Sequence, residues 1–494
     1  MKKGNQKAVM MFAIISVLLT LAACGGNQNN NSKNEGAPSG NSEAKKVTEV
    51  NLSIPTLYDM TDSEEVEAEI NKIAEEKYGV HINLGFVAVG NWQQQSNLLL
   101  TGDEADVIAI FQTPLTAYVK NGQLEPLSTY FENTSEDFKN VWTEEQLKGT
   151  SVDGTIYAIP NLRGFGGQFG LNIDSEIAEE FGIQPLQKLT MEDIDEFLKK
   201  VHEKYPERYV LAPNTGYTMT NGWAWDGLGD NKYIGVLPNR GQDTKVQNLF
   251  ETKDFKDFCN WTRKWYTQGY IMADVMSNTE AGRQLIANKK AVSCFDNFTV
   301  NKIDGITRTL VVEAWTPANS YAEIGYGINS NSKHKDAAWT VLQLLYTDKE
   351  IGGLLGNGIE GKHFIKNEDG TVSYPDGKTA ANVGYPMADI YWITPYAANS
   401  YPLKSNGATF FQDLINFNNN TLKSKAYGFS FDTSSVVDQY SACSNVMDKY
   451  YGALLAGVVD IEPTIEQANN EFKAAGLNDI ITEKQTQLDK FLAQ

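Results

Sequence analysis

Residues 355–364 read L-G-N-G-I-E-G-K-H-F, which sets Gly356, Gly361 and Lys362 at the G-x-x-x-x-G-K spacing of a nucleotide-binding loop. Such a loop holds phosphates on backbone N–H groups between a strand and a helix N-terminus, and it closes on a Ser or Thr that holds Mg²⁺. His363 occupies that last place, a helical pattern precedes Gly356, and hairpin signals at Asp369-Gly370 and Asp376-Gly377 follow. The order is inverted, so the match is a coincidence of glycines that end a helix and turn the chain. Other chemistry is equally thin. His81, His202, His334 and His363 are far apart and show no metal-ligand spacing, and no G-x-S-x-G nucleophile elbow occurs. Cys259, Cys294 and Cys443 form no C-x-x-C and read as small buried apolar side chains. Carboxylates are abundant enough to supply an acid pair for glycoside hydrolysis, but no pair stands out from the acidic background. No cofactor is expected.

The chain begins with an address. Residues 1–7 carry three lysines, and 8–23 form an uncharged, almost wholly apolar run of sixteen. A membrane span needs about 20 residues, whereas a basic start and a short apolar run make an export signal. The run ends Leu21-Ala22-Ala23-Cys24, followed by Gly25-Gly26, which resembles a lipobox whose Cys24 is lipidated and becomes the first mature residue. Residues 24–46 then read as a flexible tether: rich in Asn, Ser, Gly and Lys, they lack the apolar surface to fold, and such a coil spans roughly 25 Å. The net charge of −20 speaks against nucleic acid, which requires basic patches. A chain of 494 residues suffices for two or more domains.

The elements follow from periodicity. Val50, Leu52 and Ile54 alternate, as do Val80, Ile82, Leu84 and Phe86, and 106–111 is a third apolar run. Between them, Thr61-Asp62-Ser63-Glu64 opens a helix that Gly79 stops, and a second helical stretch surrounds residues 92–100. This β-α-β-α-β order predicts a parallel sheet, whose ligands lie beyond the strands' carboxyl ends. Asp153-Gly154 predicts a hairpin. Pro160 and the run Arg163-Gly164-Phe165-Gly166-Gly167 suit a crossover between lobes. The spacing predicts helices over 172–205 in two pieces, 255–269, 276–290 and 332–355, strands over 291–295, 311–315 and 324–328, and three helices in 434–494.

Several stretches, in this order, resemble the extracellular solute-binding lipoproteins of bacterial carbohydrate ABC importers, of the large two-lobed type. They are L-A-A-C (21–24), G-D-E-A-D-V-I (102–108), Y-A-I-P (157–160), K-V-Q-N-L-F-E-T (245–252), W-Y-T-Q-G-Y-I (265–271) and N-G-I-E-G-K-H-F (357–364). G-F-S-F-D (428–432) and V-V-D-I-E-P (458–463) resemble the C-terminal helical region of one subgroup. The resemblance implies an α/β, two-lobed, periplasmic-binding-protein-like (type II) clamshell with mixed sheets and a helical C-terminal region. Lobe 1 would take 47–160 and about 296–355, and lobe 2 would take 161–295 and about 356–494. It further implies a monomeric carrier, not an enzyme. Lipid-anchored at the outer face of the cytoplasmic membrane, it would bind a carbohydrate, an oligosaccharide, and pass it to the ABC permease. Peptide or another solute is the alternative cargo, and a surface glycoside hydrolase a more distant one.

A sugar needs flat aromatic surface for its C–H faces and fixed polar groups for its hydroxyls. On that basis the candidates are Trp223, Trp225 and Asp226 in a glycine-crowded loop, Tyr58 and Asp59 after the first strand, and Asp106. Arg163 and Phe165 join them at the crossover, with Trp315 and Tyr321 around Thr316-Pro317, and Glu360.

Overall fold

The computed structural model describes residues 47–212, 223–278 and 280–493. Cys24 lies outside them. One sheet joins β1 (Thr48–Thr56), β2 (Val80–Ala88), β3 (Val107–Ile110), β6 (Ile159–Pro160) and β12 (Gly325–Ile328) in the order β2-β1-β3-β12-β6. β1 pairs parallel with β2 and β3, and β12 runs antiparallel to β3 and β6. All four residues of β3 are buried, as a central strand covered on both faces requires. The second sheet joins β7 (Gly167–Asp174), β8 (Tyr209–Leu211), β9 (Ala291–Phe298), β11 (Val312–Thr316) and β15 (Leu422–Lys423) in the order β15-β11-β7-β9-β8, and β10 (Ile306–Arg308) also pairs with β7. Two hairpins complete the set, β4 (Ser151–Val152) with β5 (Thr155–Ile156) and β13 (Ile365–Lys366) with β14 (Val372–Ser373). The first turns through Asp153 and Gly154, both at positive φ, the type I′ geometry that Asp-Gly favours.

Each sheet carries its own core. Val50, Leu52, Ile54, Ile108 and Ile110 belong to one, Phe169, Leu171, Phe295 and Trp265 to the other. The expected lobe boundaries shift accordingly. Residues 296–316, expected in lobe 1, supply the end of β9 and all of β10 and β11 to the second sheet. Tyr385, Met387, Ile390, Ile393 and Leu414, expected in lobe 2, bury in the first core. The chain therefore crosses between sheets three times: from β6 to β7, from β11 to β12, and from the helix Phe410–Asn420 into β15.

Local signals explain most elements. Thr190 caps the helix Met191–Lys204 and Asp193 answers the cap, a reciprocal capping box, while Ile194, Phe197, Leu198 and Val201 form its buried face. Four expectations change, the first being that the helix expected over 276–290 is confined to Gly282–Ala287. Asn172 belongs to β7, whose alternation continues through Ile173, so helix begins only at Ser175. The single helix expected over 332–355 is two, Lys335–Thr347 and Lys349–Asn357, because the Asp348 carboxylate accepts the N–H groups of Glu350 and Ile351 and starts a new helix. Asp62 makes no side-chain cap; its carboxylate meets Lys362 and His363 instead.

Candidate functional site

A cavity of about 200 Å³ opens where the chain crosses between the sheets. Its walls come from the β6–β7 crossover (Arg163 to Gly167), the loop from Trp225 to Tyr233, Asn297 of β9, Trp315 of β11 and the return crossover with Pro317, Asn319, Ser320 and Glu323. The backbone is tight here. A Cβ on Gly166 would stand 2.9 Å from the Trp315 carbonyl, and one on Gly227 2.5 Å from that of Asp230, so glycine alone admits the approach of these walls.

The cavity gathers Arg163, Phe165, Trp225, Asp226 and Trp315 of the expected residues. Arg163 donates to the carbonyls of Gly164 (3.0 Å) and Ser320 and pairs with Glu323 at 2.6 Å; its Nε, buried, has no partner among the described residues. Phe165 stacks on Tyr321 with centroids 3.8 Å apart. Trp225 meets Phe255 edge-on, and its indole N–H has no partner among the described residues. Asp226 is buried behind the wall, accepting the N–H groups of Leu228 (2.9 Å) and Ala318 (3.0 Å). Burial pushes its carboxyl upward, against hydrogen bonds from Ser424 and those two amides.

The other candidates lie elsewhere. Trp223 packs in the second core, edge-on to Phe169 and Phe258. Tyr321 is buried beneath Phe165, its phenol pushed up to about 12 by burial. Asp106 stands at the start of β3, the end away from the crossovers, and accepts from the Asn51 N–H (2.9 Å) and the Ser332 hydroxyl (2.5 Å). Glu360 is exposed and pairs with Lys366 at 2.9 Å. Tyr58 donates to Asp389 at 2.5 Å, and burial with that carboxylate pushes its phenol up to about 12. Asp59 is exposed beside it. Sequence reasoning missed Asn297, Asn319, Tyr233 and Glu323. Asn297 had a signal: the alternation of β9 runs past Phe295, where the expected strand stopped. The nucleotide loop is absent, since the helix Lys349–Asn357 precedes Gly358 and Lys362 pairs with Asp62 and Glu65. Cys259, Cys294 and Cys443 are free and buried, and no helix among the described residues is long and apolar enough to cross a membrane.

Residues 59–351 match the model of the bacterial extracellular solute-binding proteins. This chain belongs to that family. Residues 425–493 match a domain of unknown function (DUF3502). A family relative named as a carbohydrate ABC transporter substrate-binding protein, from Streptococcus pneumoniae serotype 4, is 26% identical, covering 100% of this chain and 99% of its own. The diacetylchitobiose binding protein DasA of Streptomyces coelicolor is 24% identical over 79% of this chain and 89% of its own. Among solved structures, the N-glycan transport solute binding protein NgtS of Streptococcus pneumoniae superimposes with a TM-score of 0.79 at 22% identity, over 90% of this chain and 99% of that one. Its complexes with Man1GlcNAc and Man5GlcNAc give 0.71 and 0.67. The two-lobed α/β solute-binding fold with a helical C-terminal region is thus the fold of this family member.

Proposed function

We propose that this solute-binding protein captures a neutral oligosaccharide in the cleft at the crossovers, does not cleave it, and presents it to an ABC permease from a lipid anchor on Cys24. One observation carries the reading: aromatic walls and uncommitted amides converge on one cavity between the sheets. Trp225, Trp315 and Tyr233 line it with largely buried rings that reach it by their edges, and the side chains of Asn297 and Asn319 make no hydrogen bond among the described residues. Arg163 is the one cation of the lining and is neutralised by Glu323, and Asp230 is paired with Lys484; a cleft with no uncompensated cation disfavours uronides. Asp226 and Asp230 both accept backbone N–H groups, which suits a binding role rather than an acid–base pair. The cavity is smaller than the 300–1,000 Å³ usual for ligand pockets, so it serves as one subsite of a longer glycan. The names of the relatives support sugar as the cargo class.

The test is calorimetric titration with Man5GlcNAc, diacetylchitobiose and an alginate oligomer. A neutral glycan binds; Asn297→Ala and Asn319→Ala each weaken it about tenfold, the worth of roughly 1.4 kcal/mol, with the unliganded Tm unchanged because neither amide is used within the fold. Absence of binding to any glycan, or release of reducing ends, would overturn the reading. The anchor has its own readout: Cys24→Ser should move the chain from the membrane fraction to the medium, and retention in the membrane would refute lipidation at that residue.

A further inference from the structure

The helices Val437–Ala456, Ile461–Ala475 and Leu477–Leu492 make up most of the stretch matched to a domain of unknown function. They pack on the second core. From the last of them Lys484 enters the protein with no exposed surface. Its ammonium donates to the carbonyls of Ile234 (2.8 Å) and Gly235 (2.9 Å), reaches that of Gly227 (3.4 Å) and pairs with Asp230 at 3.1 Å. The ring of Phe431 lies 4.7 Å from it. Every one of these oxygens belongs to a single loop, 227–235, and the other side of that loop is cleft wall: Gly227, Gly229, Asp230, Asn231 and Tyr233 line the cavity.

The loop does not hold this shape by itself. Leu228 and Tyr233 stand at φ 60° and 56°, a left-handed conformation that costs a side-chain-bearing residue free energy and persists only where the surroundings over-determine it. Asp230 supplies part of that constraint from within, accepting the N–H groups of Lys232 and Ile234 at 2.8 Å. The helical region supplies the rest through Lys484 and through the Tyr440 hydroxyl, which donates to Asp230 at 2.7 Å. A fully buried ammonium is an expensive way to fill space, and a hydrophobe of the same volume packs as well or better. What the ammonium adds is three donors on one point, able to gather two carbonyls and a carboxylate into a fixed ring.

We infer that Lys484 is a positioning residue of the binding cleft, and that the C-terminal helical region serves to lock the 227–235 loop into its ligand-binding shape. The inference rests on the cleft being the sugar site, but one arm of its test does not. Lys484→Met keeps the stem and removes the donors. In the unliganded full chain, amide hydrogen exchange at Ile234 and Val236 is expected to accelerate at least tenfold, while amides of the first sheet are unchanged; affinity for the glycan bound by the unaltered protein is expected to fall at least tenfold. Lys449→Met, which removes an exposed pairing with Glu471 on the same helices, should change neither. If Lys484→Met does not fold, the exchange comparison is made between Lys484→Met/Asp230→Asn and the unaltered protein, the double variant leaving neither charge buried alone. Unaltered exchange in the loop overturns the inference whether or not a glycan binds. Faster exchange with unaltered affinity overturns the positioning role, and failure of every glycan to bind the unaltered protein counts against the proposed function instead.

Discussion

His363, which stands where a nucleotide loop would place Ser or Thr, has a structural task with a pH signature. Its Nδ1 accepts the Ile359 N–H at 2.9 Å, so the ring is neutral with its proton on Nε2, directed at Asp62 3.2 Å away. Burial pushes the imidazole below its ordinary value of 6.5, with Asp62 pulling partly back. The folded state thus holds this ring neutral while the unfolded chain takes up a proton near pH 6.5. The stability it contributes is complete above that pH and is lost as pH falls through the lower folded value. Tm should therefore decline between pH 7.5 and 5.5, and His363→Asn should flatten that decline while costing about 1–3 kcal/mol at pH 7.5 through the unsatisfied Ile359 N–H. An equal slope in the two proteins, followed by circular dichroism melts, would remove His363 from the pH dependence.

At the scale of elements, the three crossovers are stitched by one amide and one pair of hydroxyls. Asn418, at the end of the helix Phe410–Asn420, accepts the Phe165 N–H at 2.9 Å and donates to the Arg163 carbonyl at 2.7 Å, so it pairs with the β6–β7 crossover as a strand would. Thr316 and Thr421 join the other two crossovers, hydroxyl to hydroxyl, at 2.6 Å. Nothing in the sequence around Asn418 announces this, because the partner lies 253 residues away. The legible elements are those whose pattern is local: the alternation of β1 and β2, the capping box at Thr190, the Asp-Gly hairpin. The site was legible only in part for the same reason. A pair of tryptophans two apart in a glycine-rich loop marks a place where rings are needed, but packing decides that Trp225 reaches the cavity and Trp223 the core. Asp106 looked available because its residue type is right, yet the direction of β3 carries it to the wrong end of the sheet. Lobe membership is not legible where the chain recrosses, since hydrophobic periodicity records that a face is buried and not against which sheet.

For the whole molecule, two cores joined by three crossovers allow the lobes to move about the cleft, and a ligand shifts that equilibrium only by contacting the closed arrangement better than the open one. The cavity walls described here come chiefly from the second lobe and the crossovers, with Arg163, Ser320 and Glu323 at the edge of the first. Closure on a glycan should bring first-lobe groups onto the sugar, and the loop after β1 with Tyr58 and Asp59 would approach the second lobe. Small-angle scattering checks this directly. A compact chain of this size has a radius of gyration of about 23 Å, and saturating glycan should lower the measured value in a single transition with the affinity found by calorimetry. Asn297→Ala should reach the same closed radius at correspondingly higher glycan concentration, because it weakens a contact without touching a crossover. A radius indifferent to bound glycan would mean that the lobes are fixed and that capture depends on the second-lobe wall alone.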